Sequence, residues 1–164
     1  MRKVLYPGSF DPITYGHMNV VEQALTIFDK VVIAVLVNRN KSGGWFSLEE
    51  RKALIEEIYK DNPNVEVIAV GGRIAAVDVA LNNGCNTMVT GLRDLTDFAY
   101  EKHKAEVNLA ISGGNVNTIA LFANPKNTTI SSSTVKEVVS IGKSIEGYVH
   151  PIVINKIAEK FREE

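Results

Sequence analysis

The sequence predicts an α/β fold in which helices flank a doubly wound parallel sheet. Short runs rich in β-branched residues alternate with longer segments of helical periodicity along the 164 residues. The runs are almost continuously apolar, which is typical of strands that are buried on both faces of a parallel sheet. No repeat, low-complexity tract or linker interrupts the alternation, so residues 1–164 are predicted to form a single domain.

The strands and the first two helices follow from local patterns. Apolar residues at three- and four-residue spacing predict a first helix over His17–Phe28. Ser47 and Glu50 form a capping box that opens a second helix, which should bury Leu54, Ile55 and Ile58. The predicted strands are Lys3–Tyr6, Val31–Val37, Val65–Val70, Thr87–Thr90 and Thr118–Phe122.

The remaining helices are bounded by stop and start signals. Gly84 follows a helix predicted over Ile74–Asn82 and can adopt the left-handed conformation that ends helices. Pro151 suits the first turn of the last helix. A helix predicted over Asp97–Ile111 runs into the stop Ser112-Gly113-Gly114, and further helices are predicted over Ser132–Ile141 and Pro151–Phe161.

Composition excludes several functional classes. The net charge is −1, so no overall field attracts nucleic acid or an anionic membrane. The single cysteine, Cys85, allows no internal disulfide, and the apolar N-terminal stretch is too short for a signal peptide. No run approaches the length of a membrane helix. These features predict a cytoplasmic protein that binds neither nucleic acid nor membranes.

The segment between the first strand and the first helix has the composition of a phosphate-binding loop. Gly8 and Gly16 permit close backbone approach, Ser9 and Thr14 add hydroxyl groups, and His17 lies near the helix N-terminus. The segment matches neither the dinucleotide-binding glycine pattern nor the Walker pattern. A purely structural turn explains the same residues, and this alternative stays open at this point.

A second candidate phosphate site follows the last strand. Ile130–Lys136 contains three consecutive serines and a lysine at the start of a helix. One serine is enough for an N-cap, so the others are available as hydroxyl donors. A serine-rich turn is the alternative. Two such helix N-termini at one edge of a sheet favour a polyphosphate site, because ligands bind beyond the carboxyl ends of parallel strands.

These segments also resemble known motifs. Thr14–His17 resembles the T/H-x-G-H signature of the nucleotidyltransferase superfamily, and Ile130–Lys136 resembles its I-S-S-[ST]-x-x-[RK] motif. Tyr6–His17 matches in full the pattern Y-P-G-[ST]-F-D-P-x-T-x-G-H of bacterial phosphopantetheine adenylyltransferases. Further family motifs are matched at Phe46–Arg51 and Gly91–Glu101 and approximated at Ala76–Ala80. The resemblance covers most of the chain.

The resemblance implies an adenylyl transfer from ATP to 4′-phosphopantetheine that yields dephospho-coenzyme A and pyrophosphate. His17, Lys41 and Arg93 would be catalytic, with His17 holding the α- and β-phosphates. ATP would be bound by Ser9, Phe10, His17, Gly91, Arg93, Glu101, Ile130, Ser131, Ser132 and Ser133. The acceptor would be bound by Ser9, Lys41, Ala76, Val77 and Asn108.

The implied chemistry needs no catalytic base, because a phosphate nucleophile is already ionised at neutral pH. Positioning and charge stabilisation supply the catalysis, and Mg²⁺ shares the task. The predicted fourth helix fits this scheme, since Phe98, Glu101, Ala105 and Asn108 recur on one face. The resemblance also implies a homohexamer built as a dimer of trimers.

The chain departs from the family pattern at several positions. Thr90 stands where arginine is usual, Asn127 where an aromatic residue is common, and Arg73 in a loop that is usually apolar. Val107–Leu109 replaces the usual Met-Asn-Arg. Two alternatives therefore remain: transfer to another phosphorylated acceptor such as nicotinamide mononucleotide, and a non-catalytic nucleotide- or coenzyme-binding protein. Arg39 or Arg73 is predicted to supply the positive charge that is missing at Thr90.

Overall fold

Five parallel strands form one sheet in the order β3-β2-β1-β4-β5. A computed structural model describes residues 1–37 and 44–162 of the chain. The strands are β1 (Lys3–Gly8), β2 (Lys30–Leu36), β3 (Val65–Val70), β4 (Thr87–Leu92) and β5 (Asn117–Phe122). The predicted doubly wound parallel sheet is confirmed.

The helices lie close to their predicted positions. They are α1 (Tyr15–Ile27), α2 (Leu48–Tyr59), α3 (Ala76–Asn82), α4 (Leu95–Ile111), α5 (Ser132–Ser140) and α6 (Pro151–Lys160). Each helix boundary that was predicted lies within two residues of the observed one; no end was predicted for α2. A short 3₁₀ helix, Pro125–Asn127, follows β5.

Two apolar clusters pack on opposite faces of the sheet. Alternate residues of β2 divide between them, with Val31, Ile33 and Val35 on one side and Val32 and Ala34 on the other. The larger cluster packs under α1, α2, α5 and α6, and the smaller one under α3. The central strands are therefore buried on both faces, as the apolar runs predict.

The expectation of full burial is wrong for the two edge strands. Every residue of β3 is only partly buried, and most of β5 is exposed, including Phe122 at 81%. None of the residues of α4, which packs beside β4 and β5, is buried. An apolar run indicates that a strand tends to be buried. The position of that strand in the sheet decides how many neighbouring elements cover it.

The direction of winding reverses between β1 and β4. The chain runs outward from β1 through β2 to β3, and then returns to β4 and β5 on the other side. Gly91 allows α1 to pack closely across this point, because a Cβ atom there would lie 2.8 Å from Cγ2 of Val20. A crevice between the carboxyl ends of β1 and β4 is the expected ligand site in such a sheet.

No helix within the described part of the chain combines the length and the apolar character that are needed to cross a membrane.

Candidate active site

A cavity of about 370 Å³, called here the central cavity, opens at the crevice between β1 and β4. This volume lies within the range of small-molecule sites. The walls come from the ends of β1 and β4, the first turns of α1 and α5, and one face of α4. Its lining includes Ser9, Phe10, His17, Gly91, Arg93, Glu101, Ile130 and Ser131–Ser133. The ATP-site residues predicted from the sequence therefore lie together in one cavity.

The Thr14–His17 segment is a capping box that opens α1. Thr14 is the N-cap, and its side chain accepts a hydrogen bond from the backbone N–H of His17 at 3.4 Å. The Thr14 backbone N–H donates in return to Nδ1 of His17 at 3.0 Å. The helix therefore begins two residues before the predicted start. The signal was present in the sequence, but histidine occupies the position where Glu or Gln usually closes such a box.

The capping bond fixes the chemical form of His17. Nδ1 accepts a hydrogen bond from the Thr14 backbone N–H, so the proton of the neutral ring is assigned to Nε2. Burial, followed by the nearby positive charge of Arg93, lowers the pKa of His17 to about 4. The rings of Phe10 and Tyr6 pack beside it, with centroids 5.1 and 6.5 Å away. At neutral pH His17 is therefore an uncharged hydrogen-bond donor on the cavity wall.

Gly16 brings the two helix N-termini together. A Cβ atom at Gly16 would lie 3.0 Å from the backbone oxygen of Ile130, so a glycine permits the close contact between α1 and the segment before α5. Ser132 ties the same two segments, because its hydroxyl donates to the carbonyl of Pro12 at 2.8 Å. Two positive helix ends therefore face one cavity, which is an arrangement that binds anions.

The three serines have different partners. Ser131 is the N-cap of α5, and its hydroxyl oxygen accepts from the backbone N–H of Thr134 at 3.0 Å. Ser132 holds Pro12, as described above. Ser133 is exposed, and its hydroxyl has no hydrogen-bond partner among residues 1–37 and 44–162. The prediction that one serine caps the helix is confirmed.

Asp11 organises the loop after β1, although it was not among the residues predicted from the sequence. It is 6% exposed, and its carboxylate accepts hydrogen bonds from the backbone N–H groups of Trp45 and Phe46 at 3.0 and 2.9 Å. Burial opposes its ionisation, but the bond from Lys136, the two amides and the charge of Arg51 outweigh burial and lower the pKa of Asp11. Asp11 thus anchors the loop to α2 and α5.

Lys136 does not take the place predicted for it. Its ammonium lies 2.6 Å from the Asp11 carboxylate and 5.5 Å from the centre of the Trp45 ring. It is absent from the described residues that line the central cavity. In the structure Lys136 acts as a structural partner of a buried carboxylate.

Arg93 lies at the carboxyl end of β4 with its guanidinium held in place. Two of its nitrogens donate to the two oxygens of Asp97, at 2.8 and 3.0 Å. This bidentate pair fixes the plane of the guanidinium, and it raises the pKa of Arg93 and lowers that of Asp97. Glu101 lines the same wall one turn further along α4.

A second cavity of about 640 Å³, the flanking cavity, lies over the ends of β2 and α3. Ser9, Ala76 and Asn108 line it, as does Arg73. Val77, which was predicted to bind the acceptor, is 2% exposed and packs in the smaller apolar cluster instead. The Val77 side chain therefore lies in the core and is not among the residues that line the flanking cavity.

Other predictions have different outcomes. Phe98 is 50% exposed and lines neither cavity, although Glu101, Ala105 and Asn108 do line cavities on that side of α4. Thr90 and Asn127 both line the central cavity, and Asn127 is buried. The predictions for Lys41 and Arg39 lie outside the described residues.

Sequence reasoning also missed Lys104 of α4. Lys104 lines both cavities, together with Pro7, Gly8 and Ser9 of the β1 loop. Its position one turn after Glu101 was the available signal. Within residues 1–37 and 44–162, no cluster of three or more His, Cys, Asp and Glu side chains could hold a metal ion.

The chain is similar to known nucleotidyltransferases. The model of the cytidylyltransferase-like family matches residues 5–138. A phosphopantetheine adenylyltransferase from Caldanaerobacter subterraneus subsp. tengcongensis is 41% identical over 162 residues, which cover 99% of each chain. One from Clostridium kluyveri is 40% identical and covers 98% of this chain and 96% of its own.

The fold has a solved counterpart. A crystal structure from Vibrio parahaemolyticus, assigned as a nicotinate-nucleotide adenylyltransferase, superposes with a TM-score of 0.66. It shares 20% sequence identity and covers 99% of this chain and 93% of its own. At that identity the likeness concerns the fold alone.

Proposed function

The chain belongs to the phosphopantetheine adenylyltransferases of the cytidylyltransferase-like family, and we propose that it transfers the adenylyl group of ATP to 4′-phosphopantetheine. The products are dephospho-coenzyme A and pyrophosphate. One observation carries this proposal: two helix N-termini and the neutral His17 converge on a cavity that shares the lining residues Pro7, Gly8, Ser9 and Lys104 with a second cavity.

The proposed reaction is an in-line displacement at the α-phosphorus of ATP. A phosphate oxygen of the acceptor forms the new P–O bond, and the bond between the α-phosphorus and the α,β-bridging oxygen breaks. The electron pair leaves with pyrophosphate, so no side chain has to remove a proton from the nucleophile. The protein acts by positioning the two substrates and by stabilising charge on the transferring group.

His17 is proposed to donate from Nε2 to an oxygen on the α- or β-phosphate. Its neutral form suits this role, because the Thr14 amide holds Nδ1 and leaves Nε2–H as the donor. A donor fixed by the protein needs no reorganisation when negative charge develops. The free amides at the start of α5 and the hydroxyl of Ser133 are proposed to hold the remaining phosphate oxygens.

The acceptor is proposed to occupy the flanking cavity, with its pantetheine arm along Ala76 and Asn108. Its phosphate would then lie near Ser9, which lines both cavities. Lys41 belongs to this proposal through the family motif alone. The side chain of Val77 is buried next to Ala76 in the sequence.

Mg²⁺ is proposed to enter with ATP. The ATP phosphates and water would supply most of its ligands, because Mg²⁺ usually keeps several waters and is held through substrate phosphates. When bound, the ion would neutralise charge on the phosphates.

We also propose that the protein assembles as a hexamer and acts in the cytoplasm, where ATP is made. The exposed apolar residues of α4 and β5 support assembly from several copies.

The test is incubation of the purified protein with ATP, Mg²⁺ and one acceptor at a time, with pyrophosphate release and product mass both measured. We expect dephospho-coenzyme A from 4′-phosphopantetheine. Product from nicotinamide mononucleotide, with none from 4′-phosphopantetheine, would transfer the assignment to the other acceptor.

A further inference from the structure

The two cavities meet at a junction with a basic residue on one wall. Pro7, Gly8 and Ser9 of the β1 loop line both cavities on one side, and Lys104 of α4 does so on the other. Lys104 is the only charged side chain, within residues 1–37 and 44–162, that lines both. It also borders a small cavity beside Thr90 and Glu101.

The junction is the place where two anions have to meet. If ATP occupies the central cavity and a phosphorylated acceptor the flanking one, the acceptor phosphate approaches the α-phosphate there. Two phosphate groups in contact repel each other strongly unless a cation lies between or beside them. Thr90, at the adjoining strand end, carries no charge, and His17 is neutral above a pKa of about 4.

The other described cations near the site are less suitable. Arg93 is held by two bonds to Asp97 and lines only the central cavity. Arg73 lines only the flanking cavity. Lys136 is bound to Asp11 and lines neither of the two.

The ammonium group of Lys104 has local partners on α4, but they do not use all of its N–H donors. Glu101, one turn away on α4, accepts a hydrogen bond from it at 3.1 Å. The Tyr100 ring centre lies 5.4 Å away. The side chain is 45% exposed, and an ammonium group has three N–H donors, so donors remain for a ligand. Glu101, the partner of Lys104, also lines the central cavity.

We propose that Lys104 binds the phosphate group of the acceptor at the junction of the two cavities and supplies the positive charge that Thr90 does not. This inference rests on the proposed function, and it favours Lys104 over Arg73, which lines only the flanking cavity. Arg39 lies outside the described residues. The proposed contact makes Lys104 a determinant of acceptor selectivity: the site takes acceptors that end in a phosphate monoester.

The test compares two ligands that differ only in the phosphate, namely 4′-phosphopantetheine and pantetheine. Titration calorimetry gives the affinity of each for the wild type and for Lys104→Met. We expect the preference for the phosphorylated ligand to fall about 10- to 100-fold in the variant, as for the loss of one charge-assisted hydrogen bond. The affinity for pantetheine should stay unchanged.

Lys102→Met is the matched control. Lys102 lies on the same helix, pairs with Glu106 and lines neither cavity, so this variant should keep the wild-type preference. Lys104→Gln repeats the measurement in case Lys104→Met folds poorly, and Lys104→Arg should keep most of the preference because it keeps the charge.

The outcomes separate the two claims. If the wild type prefers 4′-phosphopantetheine and both neutral variants keep that preference, Lys104 does not bind the phosphate and this inference is wrong. A loss in Lys104→Arg as large as that in Lys104→Met would also contradict it. If the wild type binds neither ligand, the proposed function itself fails.

Discussion

The side chain of His17 both caps α1 and presents a hydrogen-bond donor to the cavity. Its Nδ1 closes the capping box by accepting the Thr14 amide, and the same bond leaves Nε2–H as the donor. Enclosure by Phe10 and Tyr6, with Arg93 nearby, makes the charged ring unfavourable. A positively charged histidine would lose the capping bond, since both ring nitrogens would then be donors.

Because the pKa of His17 is low, we expect the free energy of unfolding to depend on pH. Between about pH 6.5 and pH 4 the unfolded chain binds a proton at His17 that the folded chain excludes. The contribution of His17 to the free energy of unfolding is therefore complete above about pH 6.5 and is lost as the pH falls toward 4. The loss approaches about 1.4 kcal/mol per pH unit in the steepest part.

Urea denaturation of the wild type and of His17→Gln over this window measures the effect. Gln can accept the Thr14 amide but does not titrate, so its stability should fall less steeply with acid. NMR titration of the His17 ring should give a pKa near 4 in the wild type. Parallel stability curves, together with an ordinary histidine pKa, would falsify the assignment of His17 as a buried neutral donor.

At the scale of elements, the site depends on how closely α1 approaches the segment before α5. Gly16 sets that distance, because a Cβ there would meet the Ile130 carbonyl oxygen at 3.0 Å. Backbone cannot move aside as easily as the end of a flexible side chain. A side chain at residue 16 would therefore push α1 away from the segment before α5.

Gly16→Ala tests this spacing. Alanine favours a helix over glycine by about 0.5–1 kcal/mol, whereas overpacking costs about 1–3 kcal/mol. We expect a net loss of about 1 kcal/mol in the free energy of unfolding and a rise of about 10-fold in the KM for ATP. Thermal denaturation and steady-state kinetics measure the two effects.

Gly71→Ala serves as the control, since the nearest atom to a Cβ there is 3.8 Å away and its backbone is not left-handed. It should behave like the wild type in both measurements. If Gly16→Ala matches Gly71→Ala in stability and KM, the close packing of the two helix ends does not matter for ATP binding.

Local patterns predicted the elements well because helical periodicity, caps and apolar runs are local properties. The capping box at Ser47 and Glu50 and the N-cap at Ser131 are both present as predicted. The predictions that were wrong concern features that depend on residues far away in the sequence. The exposure of β5 follows from its edge position, and the pairing of Lys136 with Asp11 joins residues 125 positions apart.

The site was predictable to a similar extent. Motifs identified the residues at the ends of β1 and β4 because parallel strands bring their carboxyl ends to one edge of the sheet. Motifs did not show that Val77 points into the core, or that Lys104 lies where two cavities meet. Both facts depend on the rotation of a helix about its axis against the sheet.

At the scale of the whole molecule, α4 and β5 leave apolar side chains in contact with solvent. Leu95 is 86% exposed and Phe122 is 81% exposed, and no residue of α4 is buried. Exposed apolar patches mark protein–protein contacts. They support the proposal that further copies of the chain cover this side of the protein.

Phe122→Asp tests that proposal. A charge in an apolar interface is costly, so the variant should sediment as a smaller species than the wild type at the same concentration. The fold should survive, because this side chain supports no core. Ile141→Asp is the control: Ile141 is 65% exposed on another part of the surface and should leave the assembly unchanged. A wild type that sediments as a monomer would contradict the hexamer.

The acceptor assay shows whether the two adjacent cavities select one phosphorylated acceptor, which is the main point of the proposed function. The decisive quantity is the ratio of kcat/KM for 4′-phosphopantetheine to that for nicotinamide mononucleotide, with ATP and Mg²⁺ saturating. We expect a ratio of about 100 or more, on the order of two charge-assisted or well-packed contacts, with dephospho-coenzyme A as the identified product. A ratio below one, or no adenylylated product from 4′-phosphopantetheine, would contradict it.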